Sequence, residues 1–226
     1  MHNETTQETD NGSDLKALEA EIREAVANGI HVQETVHRLT LKAMNADHID
    51  LDSLKHIIMA AMRGIHDGAT QRFRHVNDQT QTAKMQIAGA VFGLDSALAS
   101  FAEASKLAIE EATSQAKKFS DTELVRTRAD LESLEALFLD TLHKTATTAQ
   151  GLFADILHEL SHHAANHGTA VGSQLKETLA TIAHQLASVG QAQLQTGTSL
   201  AHATTDFLSK IANGVLAGIS EQVKKP

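Results

Sequence analysis

The stretch His158-Glu159-Leu160-Ser161-His162 has the residue types and spacing that come nearest to chemistry. It matches H-E-x-x-H. On a helix, two histidines four apart share a face and can bind one zinc ion, while the glutamate activates a zinc-bound water. His158 and His162 are then the metal candidates, Glu159 is the base, and His167 or Glu177 is a third ligand. His163 and His167 form a second pair at the same spacing, able to hold a metal weakly without catalysis. The surroundings depart from a zinc peptidase. Ala165 stands where a metzincin has glycine, Gly168 stands where it has histidine, and no strand is legible that could form a sheet over the motif helix. Among 14 histidines and 28 acidic residues, one accidental match is unsurprising. The expectation is a solvated or seam-edge histidine cluster, with no catalytic residue and no cofactor beyond weak zinc.

Other chemistry is thin. With no cysteine there is neither a disulfide nor a thiol nucleophile. No glycine-rich phosphate loop follows a strand, no G-x-S-x-G elbow occurs, and the carboxylates read as surface helix charges. Lys117-Lys118 near a helix end complements the helix dipole. The 226 residues carry a formal charge of −9, concentrated in two stretches. Residues 1–50 hold ten acids against four bases, and 119–168 hold eight against three. This balance argues against a nucleic-acid partner, and Arg72-Phe73-Arg74 is too short a basic cluster to reverse it. Protonating all 14 histidines would carry the formal charge to +5, so surface charge depends strongly on pH. The beginning of the chain lacks a signal pattern, and no run reads as a membrane span, so a cytoplasmic location is expected.

The elements that would carry these residues are helices. Aromatics are 3% of the chain, tryptophan and tyrosine are absent, and the one proline is the last residue. That composition suits long helices with small-residue seams and disfavours a strand-built core. Residues 1–12 are expected to be a disordered acidic tail. Residues 13–48 should form two short helices, the first buried through Leu15, Leu18, Ile22 and Val26 and stopped by Gly29. The second buries Val32, Val36, Leu39 and Met44. Asp50 caps a third, with Ile49 and Leu54 as its hydrophobic staple, and this helix is drawn on to Lys118 with a kink or break near 77–82.

Phe119-Ser120-Asp121-Thr122-Glu123-Leu124 marks a helix start: Ser120 and Glu123 form a capping box, Phe119 and Leu124 a staple. Seams of period 3.5 extend both ways from it, through Phe101, Leu98, Leu94 and Ile87 and through Leu131, Leu134, Phe138 and Leu142. Folding one on the other sets Ser105 against Phe138 and Leu94 against Ala149, large opposite small. The expected fold is all-α: an elongated antiparallel helical hairpin or bundle with long coiled-coil-like helices, spanning 49–172 and turning at 119–121. Residues 173–226 add amphipathic helices, the last with an apolar stripe of Phe207, Leu208, Ile211, Val215, Leu216 and Ile219. Pairs of glycines four apart, Gly64/Gly68, Gly89/Gly93, Gly168/Gly172 and Gly214/Gly218, either allow close helix contact or are incidental.

The blocks Gly93-Leu94-Asp95-Ser96-Ala97-Leu98 through Ala104 to Ala112, Phe119 to Leu124, Asp130 to Leu139 and Gly168-Thr169-Ala170-Val171-Gly172 resemble a family of uncharacterised helical proteins from proteobacteria, a domain of unknown function, over about residues 85–172. The resemblance implies a bacterial source and a helical fold, and supplies no activity. In size and Ala/Gln/Thr-rich helices the chain is also similar to phasins, which coat storage-polyester granules. The leading expectation is a non-enzymatic scaffold or amphipathic surface coat, partnered by a protein, by itself, or by an apolar granule or membrane surface. The alternatives are a zinc-dependent hydrolase and a coiled-coil adaptor using the acidic flank.

Overall fold

The computed structural model describes residues 4–44, 50–73, 80–114 and 121–193, with side chains over 12–44, 50–73, 81–111 and 124–187. Among the described residues the helices are α1 (Glu4–Asn28), α2 (Val32–Ala43), α3 (Leu51–Phe73), α4 (Thr80–Ser114), α5 (Asp121–Thr148), α6 (Gly151–His167) and α7 (Ala170–Gln193). The all-α class is as the composition implied. α1 starts at Glu4, so the acidic stretch expected to be a disordered tail is helical from there; acids in a first turn favour a helix N-terminus. Gly29 stops α1 at φ +69°, and its N–H donates to the Ala25 carbonyl at 3.0 Å. Asp50 caps α3 by accepting the Ser53 N–H at 2.8 Å, which holds its carboxyl below the usual aspartate value. Ile49, Phe119, Ser120 and the stripe at 207–219 lie outside the described residues.

Side-chain contacts fix the directions. α1 and α3 run parallel: Arg63 Nε donates to Glu19 at 2.7 Å, and Arg72 Nη1 donates to the Ala27 carbonyl at 2.6 Å. α2 and α4 are also parallel, with Gln86 bonded to the Gly29 carbonyl and His37 Nε2 lying 3.2 Å from Ser100 Oγ. α4 runs parallel to α6 and α7 at a nearly constant offset in residue number, 75 for Lys84 to Glu159 and 76 for Ala102 to Thr178. α6 and α7 therefore follow one line along α4. The architecture is two layers of parallel helices, α1–α3–α5 and α2–α4–α6/α7, joined by hairpins such as α1/α2 and α5/α6. α4 touches every other helix.

This corrects the long hairpin. α3 and α4 are separate helices running in opposite directions. The descending helix breaks after Thr148, where Gly151 has φ +60° and Thr145 and Thr148 bond back to helix carbonyls. α4 and α5 barely meet, so the pairing of Ser105 with Phe138 is not the packing of the chain. Both seams are buried, including Leu94, Leu98, Leu134 and Phe138, but α4 lies on α7 and α2 instead. A seam of period 3.5 says which face is covered, not by which helix.

Small residues decide the layer contacts. A Cβ at Gly64 would lie 2.6 Å from the Glu19 carbonyl oxygen, and one at Gly68 would lie 2.5 Å from that of Arg23. Gly93 faces the Gln33 backbone in the same way. Segment Gln81–Glu111 is long and apolar enough, by length and composition, to cross a membrane, which revises the reading that no run approaches a span. More than half of it is buried inside the fold, as expected of a core helix.

Candidate functional site

The H-E-x-x-H residues lie on α6, and each has a partner that is not a metal. The His158 ring stands edge-on to His143 of α5, 6.5 Å between centroids. Glu159 binds Lys84 Nζ of α4 at 2.7 Å. Asn166 Nδ2 donates to His162 Nδ1 at 3.0 Å. His163 and His167 are brought together, but their rings stack at 4.3 Å and His167 Nδ1 donates to the His163 carbonyl. Glu177, the other candidate third ligand, sits on α7 with Lys106 at 3.0 Å. Among the described residues no three His, Asp or Glu side chains gather closely enough to hold a metal ion. This donor set does not fit a zinc-hydrolase centre.

A different constellation is assembled where α6 passes into α7. Gly168, at φ +83°, ends α6. Thr169 caps α7: its Oγ1 accepts the Gly172 N–H at 2.9 Å and donates to Glu135 of α5 at 2.6 Å. Asp95 of α4 takes the other two free N–H groups of that first turn, Ala170 at 2.8 Å and Val171 at 3.0 Å. Helix starts leave such donors without internal partners, and here a second helix supplies the acceptor. Asp95 is 8% exposed, and burial pushes its carboxyl above the ordinary aspartate value, the two N–H bonds opposing and nearby Glu135 reinforcing the shift. Asp95, Glu135 and Thr169, from three of the blocks that carry the family resemblance, meet here.

Asp95 is thus a buried tie rather than the surface helix charge expected from sequence. The available signal was its place in an apolar run, Leu94-Asp95-Ser96-Ala97-Leu98.

The third feature is a surface. At 3.6 residues per turn, α4 meets α2 through Gly93 and Ser100, and meets α6 and α7 through Lys84, Asp95, Ala102 and Lys106. Between those two lines runs a strip open to solvent that mixes apolar Met85, Phe92, Ala99 and Leu107 with Ser96, Glu103 and Glu110. Met85 is 60%, Phe92 43% and Leu107 52% exposed. The strip forms the floor of a groove with helices on both sides. His37 stands on one wall, and burial lowers its imidazole below the ordinary histidine value. Sequence reading passed over this strip because the residues lie off the seam, although an off-seam phenylalanine was the clue.

No curated protein and no solved structure matches the chain. Residues 8–225 match a family of unknown function, DUF6781, so the likeness noted over 85–172 extends across nearly the whole sequence. The chain belongs to the DUF6781 family.

Proposed function

We propose that this protein is a non-enzymatic helical scaffold that works by receiving an amphipathic helix in the groove along α4. The observation behind this reading is that the helix in contact with all the others still leaves Met85, Phe92 and Leu107 uncovered along one strip, beside Glu103 and Glu110. Exposed apolar side chains aligned on one helix face, rimmed by acids, suit a partner with an apolar stripe flanked by basic residues. Apolar anchors spaced along a groove floor suit a helix laid lengthwise. A phasin-like coat draws on the same residues, but a groove walled by α2 and α6/α7 favours a rod over a flat apolar body. The zinc-hydrolase reading has no assembled ligand set among the described residues.

The test is photocrosslinking in the host from a probe at Phe92, with one at exposed Ser133 of α5 as control. Adducts to defined helical peptides, enriched over the control and lost in Leu107→Glu, are expected. Adducts chiefly to lipid, or none above the Ser133 level, would contradict the reading.

A further inference from the structure

His163 and His167 stand one turn apart near the end of α6, and both residues are exposed. His167 Nδ1 lies 3.2 Å from the His163 carbonyl, which can only accept, so the ring proton sits on Nδ1. In the neutral imidazole that leaves the lone pair on Nε2. Metal-binding histidines are held in this way, one nitrogen on the metal and the other donating to a carbonyl. The two rings stack with centroids 4.3 Å apart and planes 17° from parallel. Zinc–nitrogen bonds of about 2.0–2.1 Å at tetrahedral angles put two ligating nitrogens about 3.3 Å apart, so a small turn of the rings makes the pair a chelate. The neighbours do not complete it. Glu159, one turn before His163, is held by Lys84 at 2.7 Å, and Asn166 occupies His162 Nδ1. Among the described residues no third His, Asp or Glu stands close enough to join the pair.

We propose that His163 and His167 bind Zn²⁺ as half of a four-imidazole site, which a second copy of the chain completes with its own His163 and His167. A closed zinc site takes four ligands, so the two that this chain lacks come from outside it. A two-fold axis beside the end of α6 supplies them, because an isologous contact sets the same patch of each copy against the other. Room exists for the approach: α6 ends at Gly168, where an added Cβ would meet nothing within 4 Å. Imidazole ligands suit zinc, and four of them leave the ion no open position for a reactive water. The site therefore joins chains and does not hydrolyse. It goes beyond the scaffold reading and draws on none of the strip residues of α4.

The test uses the untagged full chain, stripped with chelator and returned to limiting Zn²⁺, followed by sedimentation and metal analysis. One zinc per two chains and a doubling of mass are expected, both reversed by chelator. His163→Ala and His167→Ala should each weaken zinc binding about tenfold or more and leave a monomer, with unchanged helix content by circular dichroism. His158→Ala and His162→Ala should bind zinc and pair as the native chain does. Co²⁺ in place of Zn²⁺ should give the strong visible absorption of a four-coordinate site in the dimer, and His167→Ala should lose it. A monomer holding one zinc per chain would overturn the proposal, as would a dimer that survives chelator or the His167→Ala change. Equal loss in His158→Ala or His162→Ala would move the ion to the H-E-x-x-H stretch and overturn it too. So would a native chain that retains no zinc.

Discussion

Asp95→Ala is expected to destabilise the fold by about 3 kcal/mol, because it removes two hydrogen bonds to the carboxyl and strands the buried N–H of Val171 and the part-buried N–H of Ala170. For a chain of this size that is a fall in Tm of roughly 6–12 °C. Asp95→Asn keeps one acceptor and should cost less, about 1–2 kcal/mol. Thermal or urea unfolding of both variants checks the order; a loss under about 0.5 kcal/mol for Asp95→Ala would remove the tie from the account.

The pH dependence carries a definite sign. Burial raises the folded-state value of Asp95 above the ordinary 3.8, so the folded chain binds this proton more readily than the unfolded chain. The contribution favours folding at low pH and is lost as pH rises from 3.8 through the raised folded value. The stability advantage of the native protein over Asp95→Asn should therefore shrink across that window. An advantage that grows with pH would mean that the N–H bonds outweigh burial.

Gly68→Ala sets two effects of opposite sign against each other. Helix propensity alone favours alanine by about 1 kcal/mol. The new methyl group, however, would sit 2.5 Å from the Arg23 carbonyl oxygen, and backbone cannot swing aside as a side-chain tip can. Overpacking of this kind costs about 1–3 kcal/mol and should win. Gly12→Ala, on the same layer's α1 but with nothing within 4 Å, should instead gain about 1 kcal/mol. Chemical denaturation of the two variants separates the effects. Stabilisation by both would mean that α1 and α3 do not touch at Gly68.

Much of the architecture was written locally. Gly29 and Gly168 end helices as their type implied, Asp50 caps α3, and the buried faces of α1 and α2 follow the helical spacing of Leu18, Ile22, Val26, Val36 and Leu39. These signals act within a few residues and survive any tertiary arrangement. Which helix covers which was not local. The seams of α4 and α5 are equally periodic, so nothing in their spacing reveals that α4 lies on α2 and α7. The information sat in the small residues, Gly64, Gly68 and Gly93, which let parallel helices approach, and in Asp95, whose partners are backbone N–H groups more than 70 residues away. Backbone donors leave no trace in side-chain composition. In the H-E-x-x-H stretch, spacing aligns His158 and His162 on α6, while the contacts of Glu159 with Lys84 and of His162 with Asn166 are not legible from it.

The parallel layer of α2, α4, α6 and α7 is what leaves the α4 strip open, so the most direct measurement asks which helix α4 touches. Thr178 Oγ1 donates to the Ala102 carbonyl at 3.0 Å, and both residues are fully buried. Ala102→Cys with Thr178→Cys should crosslink within the monomer under mild oxidation, and Ser105→Cys with Phe138→Cys should not. The opposite outcome, with the 105–138 pair crosslinked and the 102–178 pair free, would restore the α4/α5 hairpin and contradict the two-layer arrangement together with its groove.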